Sequence, residues 1–194
     1  EVVGVISNCM NEDDVVVCAA GSLPGDMHKL WRSVNGDQYH MEYGYSCMGY
    51  EVAGGLGIKM AKDSGDVFVM VGDGSYLMMN SEIVTGVQEN EKLIIILINN
   101  HGFGSINGLS LGLGSKGFGN QYRKREGSSS NYTGDKLPVD YAAHAKSMGI
   151  DSITVKTKQR LEKAVAQARD NKGSTLIEVL VDLNEKVPGY GAWW

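Results

Sequence analysis

Apolar residues along this chain gather in short, almost uncharged runs rich in Val and Ile, separated by stretches with helical spacing. Val15 to Ala19, Val67 to Val71, Leu93 to Ile98, Ser152 to Val155 and Thr175 to Val181 read as strands. Runs this apolar describe a parallel sheet covered on both faces. The stretches between them predict helices: a short one within residues 1 to 12, then Met27 to Ser33, Cys47 to Ala61, and the segment after Ser75. Asp140 is placed to cap a helix running on through Ala145, and Lys158 to Asp170 sets Leu161, Ala164, Val165 and Ala168 at helical spacing. This alternation predicts a three-layer α/β/α domain with a doubly wound, mostly parallel sheet of about six strands. Residues 103 to 136 are rich in glycine and read as a long loop of the kind that covers a substrate.

One β-α-β unit organises the candidate chemistry. The run from Val67 breaks at Gly72-Asp73-Gly74-Ser75, and the run from Leu93 breaks at Asn99-Asn100-His101-Gly102. Ligands of such sheets bind at the carboxyl ends of the strands. Asp73 and Asn100 both fall there and can aim a carboxylate and a carboxamide at one point. That pair suits a hard cation holding a diphosphate, with the Gly102 carbonyl as a third oxygen, two phosphate oxygens and a water completing an octahedral shell for Mg²⁺. Gly74 and Ser75 lead into the next helix, so their N–H groups face the same anion. Gly-Asp-Gly alone equally describes an Asp capping a helix after a strand. The second strand ending in Asn99-Asn100 makes the pair more specific.

Composition narrows the field. The chain has 194 residues, 42% of them hydrophobic and 21% charged, with a net charge of −5. That is one globular domain with a sizeable core, and without long basic runs it argues against nucleic acid as a partner. No apolar stretch approaches a membrane span. Cys9, Cys18 and Cys47 have no metal-type spacing and read as reduced thiols in the cytoplasm. His40-Met41-Glu42 lacks the cysteine pair that a zinc deaminase needs. Gly112 to Gly117 fits a dinucleotide fingerprint but follows no strand, and is read as chance. Arg123-Lys124-Arg125 reads as a solvated part of a mobile lid. With no initiator Met and Trp193-Trp194 at its end, the chain reads as a single domain, residues 1–194, cut from a longer polypeptide.

Gly72-Asp73-Gly74-Ser75 followed by Asn99-Asn100 resembles the cofactor motif of the thiamine-diphosphate-dependent, acetolactate synthase-like superfamily. The resemblance implies Mg²⁺ bound by Asp73, Asn100 and the carbonyl of Gly102, with Gly72, Gly74 and Ser75 around the diphosphate. Glu82 falls where the family has a Glu on the intervening helix. Cys47 to Ala61 resembles the family's Thr-Met-Gly-Tyr-Gly-Leu-Pro-Ala-Ala-Ile-Gly segment. Met48 then takes the place of the apolar wedge between the cofactor's two rings, and the carbonyl of Ser46 that of the acceptor for the 4′-amino group. Without the resemblance Met48 reads as an ordinary core Met. A helix with so many glycines implies something packed very close to it. Met27 to Trp31 resembles Gln-His-Gln-Met-Trp, whose His lies against the diphosphate. That puts His28, read as the start of a helix, beside the phosphates, the alternative being a surface His.

The resemblance spans about Val15 to Asp182 and implies a diphosphate-binding domain working with N-terminal pyrimidine-binding and middle domains in a homodimer or homotetramer. The activating Glu would come from the pyrimidine domain, so no catalytic residue is expected in this chain and alone it is expected not to turn over. Leu23 to Trp31, His40 to Met48 and Pro188 to Trp194 resemble the inositol-catabolism branch of the superfamily. This implies hydrolysis of a C–C bond that opens a cyclic, polyol-derived 1,2-diketone to a deoxy-glucuronate. Acetolactate synthesis or another 2-oxo-acid decarboxylation is the alternative, and a non-catalytic phosphate- or nucleotide-binding module is the alternative of another class. Ile106 stands where pyruvate decarboxylases carry a catalytic Glu, which disfavours that branch.

Overall fold

The computed structural model describes residues 1–42, 44–185 and 187. Tyr43 and the terminal run from Pro188 to Trp194, part of the resemblance above, lie outside them. In chain order the elements are α1 Val2–Cys9, β1 Val15–Cys18, α2 Leu23–Leu30, β2 Tyr39–Met41, α3 Tyr50–Ala61, β3 Val67–Gly72, α4 Asp73–Met78 and α5 Glu82–Gln88. Then come β4 Ile94–Asn99, α6 Gly104–Gly112, α7 Tyr141–Ser147, β5 Asp151–Val155, α8 Lys158–Asp170 and β6 Thr175–Leu180. All strand pairs are parallel, in the order β2-β1-β3-β4-β6-β5.

Because side chains alternate across a strand, each buried run feeds two cores. Val16, Cys18, Phe68, Met70, Ile94, Ile96 and Ile177 meet α1, α2 and α8 on one face. Val15, Val17, Val67, Val69, Val71, Ile95, Leu97 and Leu176 meet α3, α5 and α7 on the other. The three-layer expectation holds. So does the close packing expected of a glycine-rich α3: a Cβ at Gly55 would collide with a methyl group of Val69.

Three features differ from the expectation. The edge strand β2 carries no apolar run, its residues being only half-buried, and it is held by register with β1. The helix expected from Met27 starts at Leu23, where Pro24 supplies a pre-set φ in the first turn. His28 therefore lies in the last turn of α2, at the end away from any N-terminal dipole. The stretch 103–136 is also no bare loop. It opens with α6, and Gln121 and Arg123 bridge to Gly102 and Lys136. Arg123 donates to Gln121 and to the carbonyl of Gly134, while Arg125 lies over the ring of Tyr132 at 4.5 Å. Arg123 is thus bonded into the segment, while Lys124 and Arg125 stay exposed as expected of a solvated cluster.

The strand order positions the site. From β1 the chain moves outward to β2, then crosses back to β3 on the other side of β1. A crevice opens where the direction of winding reverses, at the carboxyl ends of β1 and β3.

Candidate active site

A cleft of about 530 Å³ occupies that crevice. Its walls come from Ala20 to Leu23 after β1, Gly44 to Ser46 and Met48 before α3, Gly72 to Ser75 at the β3–α4 junction, and Ile98 to Leu109 around the β4–α6 junction. Ser46, Met48, Gly72, Asp73, Gly74, Ser75, Asn100 and Gly102 all line it. His28 does not; it sits near Tyr39, with ring centroids 6.3 Å apart. The helix-start argument for His28 therefore fails, because Pro24 moves the start of α2 upstream.

Asp73 and Asn100 are brought together by register. Gly72 pairs with Ile98 across the β3–β4 ladder, so the residues that follow emerge side by side. Asp73 is buried, with 1% of its surface exposed. Its Oδ1 accepts the Gly74 N–H at 3.0 Å and its Oδ2 the Gly102 N–H at 2.9 Å. Burial nonetheless pushes its carboxyl up to about 6, against the lowering by these backbone donors. Asn100 presents the complementary signal: its Oδ1 is buried and accepts no hydrogen bond among the described residues. A buried acceptor left unpaired is costly, and a cation removes that cost.

The loop after β4 holds a buried Gly102 in a backbone conformation that favours glycine. His101 takes φ 62° and Gly102 φ 152°. The bridge to Gln121 uses Phe103 N–H to Asn120 O and Tyr122 N–H to His101 O, so the bonds belong to the flanking residues and not to Gly102 itself. One carboxylate, one carboxamide and a backbone carbonyl are the oxygen set a hard divalent cation takes. Among the described residues no three His, Cys, Asp or Glu side chains converge as a competing metal site.

Several supporting residues lack a signature in the sequence. Glu51, fully buried at the start of α3, accepts hydrogen bonds from Ala20 N–H, Gly49 N–H and the Ser75 hydroxyl. Burial pushes its carboxyl up. Glu178 on β6 accepts Asn99 Nδ2 at 2.7 Å and the Thr154 hydroxyl at 2.6 Å, and Asn99 Oδ1 in turn accepts the His101 N–H at 3.0 Å. Gly104 leaves room for Asn100, whose Nδ2 would lie 2.7 Å from an added Cβ. Phe103 covers Gly74, where an added Cβ would meet its ring at 2.6 Å. Only a buried charge next to the motif could have marked Glu51, and nothing local in sequence distinguishes it from a surface Glu on α3.

Residues 19–179 match the family described as thiamine pyrophosphate enzyme, C-terminal TPP binding domain, thiamine pyrophosphate being another name for thiamine diphosphate. Over 193 residues, all of this chain and 30% of the relative, it is 45% identical to a 3D-(3,5/4)-trihydroxycyclohexane-1,2-dione hydrolase of Bacillus thuringiensis (strain Al Hakam). The identity and coverage are the same for the protein of that name from Bacillus anthracis. The chain thus spans about a third of the length of the curated relatives it matches. Among solved structures, benzoylformate decarboxylase from Polynucleobacter necessarius superposes with TM-score 0.80 at 21% identity, covering 95% of this chain and 33% of that one. The thiamine diphosphate-dependent 4-hydroxybenzoylformate decarboxylase of Rhodococcus jostii RHA1 gives 0.76 at 20%, covering 94% and 32%. At these identities the two structures speak for the fold alone.

Proposed function

We propose, for a chain that belongs to the thiamine pyrophosphate enzymes as their C-terminal TPP-binding domain, that it is the cofactor-holding part of a longer C–C bond hydrolase. The substrate inferred is 3D-(3,5/4)-trihydroxycyclohexane-1,2-dione, opened to 5-deoxy-glucuronate. The identity of 45% over the whole chain to relatives of that name supports the substrate. One observation carries the site: the unpartnered buried Oδ1 of Asn100 beside the desolvated carboxylate of Asp73, at neighbouring strand ends in the cleft.

Asp73, Asn100 and the Gly102 carbonyl would hold Mg²⁺, and through it the diphosphate, with Gly72, Gly74 and Ser75 along the phosphates. Met48 would support the two rings and the carbonyl of Ser46 would accept from the pyrimidine amine. Bound thiamine diphosphate supplies a nucleophilic carbon and an electron sink for breaking a bond beside a carbonyl. The chain's own part is to bind and orient. Burial of Asp73 and the Phe103 cover over Gly74 keep water from the anion's anchor, which strengthens every charge interaction there.

Pyrimidine-binding and middle domains of the same polypeptide, an oligomer and a cytoplasmic setting belong to this reading. Leu77, Met78 and Met79, between 41% and 55% exposed after α4 begins, with Val84 and Val87 on α5, are apolar surface for such a neighbour. Among the described residues no helix is long and apolar enough to cross a membrane. The test is to assay the full-length protein with the cyclic diketone and, separately, with pyruvate. Ring opening without consumption of pyruvate supports the proposal; acetolactate formation or decarboxylation of pyruvate overturns it.

A further inference from the structure

The site as described leaves Glu51 without a task, although it is a carboxylate with 0% of its surface exposed. It lies on α3 and reaches three separate walls of the cleft. Its Oε1 accepts the N–H of Ala20, just past β1, at 3.2 Å. Its Oε2 accepts the N–H of Gly49, in the turn that carries Met48, at 3.1 Å, and the hydroxyl of Ser75, at the β3–α4 junction, at 2.7 Å. Ser75 closes a triangle, since its oxygen also accepts the Gly49 N–H at 2.7 Å. Gly49 is held in the left-handed region at φ 93°, and a Cβ there would come within 2.8 Å of Met79 Cβ. Only glycine fits the Met48 turn in this conformation.

We propose that Glu51 is a positioning residue that fixes the distance between the Met48 turn and the Asp73–Ser75 floor of the cleft. This rests on the cofactor reading given above, in which Met48 meets the rings of thiamine diphosphate and Asp73 anchors its phosphates. A ligand with two recognised ends gains from both only when their sites are held at the matching separation. A glutamate suits this task because an ionised carboxylate accepts from several donors at once, and charge-assisted bonds hold their geometry tightly. A carboxamide of the same shape cannot, since it turns one N–H donor toward a neighbour that is itself a donor.

The prediction separates positioning from mere support of the fold. Glu51→Gln and Glu51→Ala are made in the full-length protein, and their unliganded thermal midpoints recorded. Affinity is then measured for thiamine diphosphate with Mg²⁺ and for inorganic diphosphate with Mg²⁺, which uses the floor alone. Glu51→Gln is expected to weaken thiamine diphosphate by about tenfold, the scale of one lost charge-assisted bond, and to leave inorganic diphosphate within about twofold. Glu51→Ala is expected to widen the gap; if it fails to fold, Glu51→Gln decides. Equal weakening of both ligands, or of neither, overturns the proposal. If the unaltered protein itself does not bind thiamine diphosphate, the cofactor reading falls and the proposal with it.

Discussion

The carboxylate of Asp73, at the end of one central strand, accepts the backbone N–H of Gly102, in the loop after the neighbouring strand, at 2.9 Å. That bond ties together two of the three residues inferred to hold the cation. The third, Asn100, has a buried oxygen that is unpaired among the described residues. The backbone N–H groups of Gly74 and Gly102 thus fix the Asp73 carboxylate at the strand ends.

Asp73 should make binding acid-sensitive. Burial raises its carboxyl to about 6, so the ionised form that a cation needs is lost as pH falls through that value. Mg²⁺-dependent cofactor affinity should drop about tenfold per pH unit below pH 6. In the unliganded protein the sign reverses. A carboxyl raised on folding favours the folded state below its unfolded value, about 3.9, and that stabilisation is lost as pH rises through 6. Urea denaturation at pH 4 and pH 7 should show Asp73→Asn gaining on the unaltered protein at the higher pH, by about 2 kcal/mol.

Gly102→Ala should damage the site more than the fold. At φ 152° a side chain is strained, and the new Cβ would collide with the carbonyl oxygen of Asn120. Relief requires the 120–122 bridge or the Gly102 N–H to leave its partner. Cofactor affinity measured by titration is expected to fall at least about tenfold, which is the loss of one hydrogen bond to a charged group.

Removing Glu178 tests the support behind Asn100. Glu178→Ala leaves the buried Asn99 Nδ2 without its acceptor and takes one from the exposed Thr154. Stability should fall by about 1–3 kcal/mol in urea denaturation, the cost of one buried unpaired donor. Cofactor affinity should fall with it, because Asn99 also fixes the His101 N–H. Stability lost without affinity would show that the Asn99 chain does not set the loop.

A contrast lies at the opposite end of the sheet. Arg169 pairs with the buried Asp14 at 2.6 Å, reaches Asp66 at 3.6 Å and lies over the ring of Phe68. Arg169→Met leaves Asp14 buried and without its cation, and should cost about 3 kcal/mol. Cofactor affinity at a temperature where the variant is folded should be unchanged. Asp14→Asn added to it should recover part of the loss.

The strands, the two-faced core and the Asp73–Asn100 pair were legible because apolar runs and the residues that stop them are local signals. Lys158–Asp170 was legible to the residue, since Thr157 caps it and Leu161, Ala164, Val165 and Ala168 repeat at helical spacing. What stayed hidden depends on contacts distant in the chain. Strand β2 is specified by its partner β1, and α6, full of Gly, Ser and Asn, forms against its propensity. His28 falls in the last turn of α2 rather than at its start because Pro24 opens the helix upstream of Met27. Glu51 was invisible because its donors lie on segments far apart in sequence, at Ala20 and Ser75.

The most direct test of the account is calorimetric titration of thiamine diphosphate into the full-length protein, first with Mg²⁺ and then with EDTA, for the unaltered protein and for Asp73→Ala. The account predicts saturable binding that requires Mg²⁺ and is lost in Asp73→Ala. Binding that survives EDTA and Asp73→Ala alike, or ATP binding in place of thiamine diphosphate, would contradict it.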